Sequence, residues 1–329
     1  MPAQSSFFTN LPISAFAMVM GLSGLTLVWG RMANLGWMPG LAGPVAVAIG
    51  SLAIFTFLVL LVFYMKKWAS DHQKVYEEWQ HPVKSSFFAA VSISFALLGT
   101  VSLGLFAPLA LPFWLAGAVL QVIAMIMVLN AWIHRESLQP IHATPVWFIP
   151  AVGNVLIPLA GVRLGFYEIS WWFFAVGILF WLVLLTVVMT RLLFTQPPIA
   201  QHLSPTLCIF LAPPAVGFLS WVLLTGQYAG SSELDAGGHI LYGLALFFAL
   251  FLASQTHRFI RLPFFLSWWA FSFPVAAFTT ATLVYAQFVT TLWMFALAVF
   301  MAGFATLLIV WLFIRTVIAV ARNEPHLVG

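Results

Sequence analysis

The sequence predicts an all-α polytopic membrane protein, a single transmembrane domain over residues 1–329. Its ten helices pair as five helical hairpins in a pseudo-five-fold arrangement, with the odd-numbered helices innermost around a central pore. Three observations predict this. The 329 residues are 63% hydrophobic and 6% charged, with a mean hydropathy of +1.06, too few polar side chains to cover a soluble globule. The apolar runs have lengths near the ~20 residues that cross ~30 Å of hydrocarbon. A proline recurs at the head of every second run.

Charges and turn residues divide the runs at about 12–30, 42–65, 86–106, 110–133, 146–164, 169–194, 205–225, 237–256, 263–285 and 290–319. The start Met1-Pro2-Ala3-Gln4-Ser5 has no basic stretch and no small-residue cleavage site, so the first run reads as a retained helix and not a signal peptide. An even number of crossings puts both termini on one side. With them fall Lys66, Lys67, Lys74, Lys84, Arg135, Arg191, Arg258, Arg261, Arg315 and Arg322, leaving Arg31 and Arg163 opposite. The positive-inside rule then places both termini in the cytoplasm. The net charge of +4 is accounted for by this sidedness, and nucleic acid is not a predicted partner.

Proline announces each odd helix: Asn10-Leu11-Pro12, Gln80-His81-Pro82, Ala143-Thr144-Pro145, Leu203-Ser204-Pro205 and Arg261-Leu262-Pro263, at steps of 70, 63, 60 and 58 residues. That is one helical hairpin repeated five times, since proline suits a first helical turn. The even helices have prolines only near the starts of the second and fourth, at Pro44 and Pro112. Interior prolines also fall on odd helices: Pro150 and Pro158 in the fifth, Pro213 and Pro214 in the seventh, Pro274 in the ninth. Each removes a helical hydrogen bond and predicts a kink, tolerable in a membrane only where protein or a water-filled cavity surrounds it. The odd helices are therefore expected to be inner, with Gly21, Gly24 and Gly99 permitting bending or close approach in the first and third.

Even helices are bulky on every side, as in Ile178–Leu185 and Leu307–Ile314, and suit a ring facing lipid. The longest cytoplasmic loop, Lys66 to Lys84, mixes both charge signs and reads as a solvated, partly helical link. Eight histidines, from His72 to His326, lie in loops or at helix ends without metal-ligand spacing, and the single Cys208 excludes an internal disulfide. No nucleotide, nucleophile-elbow or zincin motif is present. The reading is not an enzyme, with no cofactor and no metal.

The predicted spans hold almost no ionisable groups, which weighs against a proton- or ion-coupled carrier. Neutral polar residues occur instead, among them Ser92, Ser94, Asn154, Ser272, Thr279 and Thr280 on odd helices and Gln121 on an even one. An uncharged pore can favour anions through hydroxyl and amide donors and helix ends, with Arg31 and Arg163 at the outer mouth. Phe273 immediately precedes the mid-helix proline of the ninth helix, where a bend turns its ring toward the axis. It is the candidate gate. Phe16, Phe95, Phe148 and Phe210 lie at comparable depths in the other repeats and, with Asn154 and Ser272, are candidate pore lining.

The run Trp269-Ala270-Phe271-Ser272-Phe273-Pro274, with His81-Pro82-Val83-Lys84-Ser85-Ser86-Phe87, Phe148-Ile149-Pro150-Ala151-Val152-Gly153-Asn154 and Leu211-Ala212-Pro213, resembles the TehA tellurite-resistance/dicarboxylate transporter family. That family is related to the plant slow anion channels of guard cells, and the similarity extends over essentially all ten helices. The resemblance implies a homotrimer in a bacterial inner membrane. Each subunit has its own pore of five kinked inner helices, occluded by a phenylalanine that corresponds to Phe273; Pro274 after it resembles the plant branch. Long regulatory tails of the plant channels are missing here, so the same phosphorylation control is not expected. The implied activity is a gated channel for small inorganic or organic anions. The alternative is a secondary transporter of C4-dicarboxylates or tellurite, with or without coupling to protons.

Overall fold

The computed structural model describes residues 11–227 and 233–322; Met1–Ser5, Asn10 and His326 lie outside them. Among the described residues all regular structure is helical. In chain order come α1 (Ile13–Asn34), α2 (Ala42–Ser70), α3 (Lys84–Leu105), α4 (Ala107–His134) and a shorter α5 (Pro145–Gly161). There follow α6 (Tyr167–Phe194), α7 (Gln201–Leu224), α8 (Ala236–Ser254), α9 (Ser272–Tyr285) and α10 (Leu292–Ala321). All except α5 and α9 are long and apolar enough to cross a membrane, eight in number. Helix α5 is broken at Pro158, and α9 is diluted by Ser272, Pro274, Thr279, Thr280 and Thr282.

Burial divides the helices into two sets. In their most apolar stretches α1, α3 and α7 are 72%, 67% and 83% buried, whereas α2, α4, α6, α8 and α10 are between 22% and 33%. Every residue of Phe148–Leu156 in α5 is buried, as is most of α9. The inner helices touch in the order α1, α3, α5, α7, α9, and α9 returns to α1. Each also packs on the outer helix that follows it in sequence. With lipid on one side, an outer helix loses nothing by exposing Leu, Ile and Phe, so its composition is apolar all round.

Each inner helix starts in 3-10 form and then widens to α: over Ile13–Phe16, Lys84–Phe88, Pro145–Trp147, Gln201–Leu211 and, before α9, Leu266–Phe271. The structure puts this change of helix type where the sequence suggested mid-helix kinks. Pro150, Pro214 and Pro274 are each the third residue of the α stretch, Pro213 the second, and Pro158 the first residue after the break in α5. First-turn N–H groups have no α-helical partner, so proline is cheap there and stops the α bonding from running backwards.

Two glycines bring α1 and α9 together. A Cβ on Gly21 would lie 2.2 Å from Ser272 Oγ, and one on Gly24 would lie 2.8 Å from the Ala276 Cβ. A Cβ on Gly99 of α3 would likewise lie 2.8 Å from the backbone nitrogen of Trp114 in α4.

The link before α3 is largely exposed and partly helical, as its composition suggested, but it buries one pair of opposite charges. His72–Gln80 forms a helix folded back on α2. Its Glu78 is buried in an ion pair with Lys67, Nζ to Oε1 3.1 Å, and accepts a hydrogen bond from the Tyr64 hydroxyl at 2.9 Å. Lys67 Nζ also donates to the Leu11 carbonyl at 3.0 Å, tying the start of α1 to the end of α2. Charge reads as exposure only when no partner is within reach.

Candidate functional site

The inner helices enclose a narrow cavity of about 40 Å³, room for roughly three waters at ~10–15 Å³ each. All five contribute wall residues about one turn apart. Helix α1 gives Ala17 and Met20; α3 gives Phe87, Ala90 and Ile93; α5 gives Ile149 and Val152; α7 gives Ile209 and Ala212. The last set comes from α9 and its 3-10 lead-in: Trp269, Ala270, Phe273 and Pro274. No ionisable side chain is in this wall. The cavity lies at the 3-10 to α junctions, since Ala17, Ala212 and Phe273 are each within the first two residues of an α stretch.

The neighbours of Phe273 are fastened on other sides. Trp269 Nε1 donates to Thr316 Oγ1 of α10 at 2.8 Å, and Trp268 Nε1 donates to the Pro263 carbonyl at 2.9 Å. The Trp268 ring stacks on Phe271, centroids 5.2 Å apart. Ser272 Oγ donates to the Trp269 carbonyl at 2.6 Å and faces Gly21, so it lies in the α1–α9 seam and not on the cavity wall. Phe273 is 4% exposed and borders the cavity.

The other aromatic candidates do not border it. Phe16 packs edge-on against Phe57 and Tyr64 of α2, and Phe95 sits between Phe57 and Phe113 of α4. Phe148 meets Phe210 at 5.1 Å, and Phe210 stacks on Phe248 of α8. Phe16, Phe95 and Phe210 thus fill seams between inner and outer helices, and Phe148 packs in the seam between α5 and α7. A 3-10 helix turns 120° per residue against 100° for α, so each 3-10 residue shifts the facing position by about 20°. Comparable depth in the repeat therefore does not fix which face a ring is on. Phe87, absent from the candidates, lies in the 3-10 stretch of α3 and is on the wall.

Asn154 is buried beside the wall but spends its amide locally. Its Nδ2 donates to the Pro150 carbonyl at 2.8 Å, which also accepts from Gln121 Nε2 at 2.7 Å; Gln121 Oε1 in turn accepts from Ser92 at 2.7 Å. Hydroxyls of Ser94, Thr100, Thr279, Thr280 and Thr282 donate to carbonyls one turn back in their own helices. Their protons are thus not presented to a passing ion.

Outside the spans, His81 explains the start of α3. Its Nδ1 accepts from the Val83 and Lys84 backbone N–H groups at 3.2 and 3.3 Å, which requires a neutral ring. Burial, and then the charges of Lys84, His142 and Arg135, hold its pKa below the ordinary value.

Five inner helices thus form a ring around an uncharged axial cavity. The sequence pattern of the voltage-dependent anion channel family (SLAC1) matches residues 10–317. The chain belongs to that family. Among its relatives, the S-type anion channel SLAH3 of Arabidopsis thaliana is 28% identical over 95% of this chain. The guard cell S-type anion channel SLAC1 of the same plant is 24% identical over 96%. The tellurite resistance protein TehA homolog of Haemophilus influenzae is 24% identical over 81% of this chain and 79% of its own length. The chain spans about half the length of the plant relatives, 49% for SLAH3 and 57% for SLAC1. Family membership agrees with the resemblance carried by the helix motifs and makes this a membrane protein of the anion channel and transporter class.

Proposed function

We propose that this chain is a gated channel for small anions, with one axial pore in each subunit closed by Phe273. The observation that carries the reading is a cavity walled by all five inner helices, with no ionisable side chain and Phe273 in its wall. A dehydrated anion gains no strong partner there, so the closed site opposes passage by excluding water. Displacing one ring opens a wetted path, and weak binding lets ions leave quickly. The chain's excess of basic over acidic residues, 12 to 8, favours anions over cations near its surfaces. Ten crossings as five pseudo-equivalent hairpins, both termini in the cytoplasm of a bacterial inner membrane, and assembly as a homotrimer complete the proposal. The alternating proline pattern, the charge bias and the apolar outer helices support it.

The test is flux from proteoliposomes of purified full-length protein under a chloride gradient. A channel gives currents that reverse at the chloride equilibrium potential and move no protons. Proton movement in fixed ratio to a dicarboxylate or tellurite, without such current, contradicts the proposal and indicates a coupled carrier.

A further inference from the structure

A second cavity, of about 230 Å³, lies away from the axis between the C-terminal ends of α6 and α8 and the N-terminal end of α7. Its polar wall consists of Arg191, Arg258, Ser204 and Gln255, with no carboxylate. Arg191 is only 4% exposed. Its Nε and Nη2 donate to the carbonyls of Ile141 and Pro197 at 3.3 and 2.9 Å, which fix the guanidinium plane and leave Nη1 with no protein acceptor among the described residues. Arg258 is exposed, and neither arginine takes part in an ion pair among the described residues. Two guanidiniums facing one cavity without a counter-charge are a site for an anion, and the planar fork suits phosphate oxygens.

The rest of the wall is apolar, with Leu192, Ile199, Leu207 and Phe259. The adjoining Leu193, Phe194 and Ile260 are highly exposed, at 66%, 80% and 74%, so the cavity opens beside the surface that faces lipid tails. A free phosphate has no use for such a wall; a lipid uses both halves. We propose that this cleft binds the phosphate of an anionic phospholipid, with its acyl chains against Leu192, Leu207 and Phe259. On the orientation proposed above it faces the cytoplasmic leaflet, where basic pockets between helices take acidic headgroups. The site goes beyond the pore reading and stands whether the pore is a channel or a carrier.

Purified full-length protein is titrated with dioctanoyl phosphatidylglycerol, dioctanoyl phosphatidylcholine and inorganic phosphate, reading apparent unfolding temperature and, by native mass spectrometry, bound lipid. Phosphatidylglycerol is expected to half-saturate at a concentration at least tenfold below phosphatidylcholine. Arg258→Gln, on an exposed residue, should weaken it about tenfold. Arg191→Lys keeps the charge but loses the fork, and should weaken it several-fold in folded protein. Inorganic phosphate giving the same shift at the same concentration overturns the lipid assignment. Equal binding of the two lipids, or binding indifferent to Arg258→Gln, overturns the site.

Discussion

Lys67 and Glu78 are both more than nine-tenths buried, so removing one leaves the other charged and unpaired in a poorly solvated place. Lys67→Met should cost roughly 3–5 kcal/mol, whereas replacing both residues with apolar ones should be near neutral; apparent unfolding temperatures in detergent compare the three proteins. His81 gives a pH dependence of definite sign. Its folded pKa is below the ordinary value of ~6.5, so the unfolded chain protonates first. The contribution of its capping bonds is complete above about 6.5 and is lost as pH falls through the lower, folded value. Stability of the wild type should fall between pH 7 and 5 more steeply than that of His81→Gln, whose amide oxygen still accepts but does not titrate. Neither effect was legible beforehand. Composition distinguishes charged from apolar residues, but only the fold shows which charges meet.

At the level of elements, the proline pattern of the sequence and the burial of the helices coincide: α1, α3, α5, α7 and α9 are buried and the helices between them are not. The physical basis is direct, since a helix interrupted by proline needs protein around it. Which side chain faces the axis was less legible, because no residue pattern announced that each inner helix begins in 3-10 form. Phe273 lies two residues into the α stretch of α9 and borders the cavity; Phe16, Phe95, Phe148 and Phe210 fall on other faces. The α1–α9 seam provides a test on this scale. Gly21→Val places a side chain where Ser272 already sits, and overpacking should cost about 1–3 kcal/mol. Ser272→Gly should recover part of that loss in the double variant, and the unfolding temperatures of the four proteins in the cycle measure the coupling.

For the molecule as a whole, ring closure from α9 back to α1 is what makes one cavity of five short apolar strips. No single helix holds a site: Phe87, Ile149, Val152, Ala212, Trp269, Ala270, Phe273 and Pro274 of the wall fall inside the motifs that carry the family, whereas Ala17, Met20, Ala90, Ile93 and Ile209 were silent in the sequence. Apolar side chains in a helix interior look alike whether they face a core or a path. The central claim is that the path is shut by the ring at position 273. The measurement that tests it most directly is anion current across planar bilayers for wild type and Phe273→Ala, with incorporation and folding matched. The account predicts conductance at least tenfold higher in the variant, reversing at the anion equilibrium potential. Equal currents, or silence in both folded proteins, would contradict it.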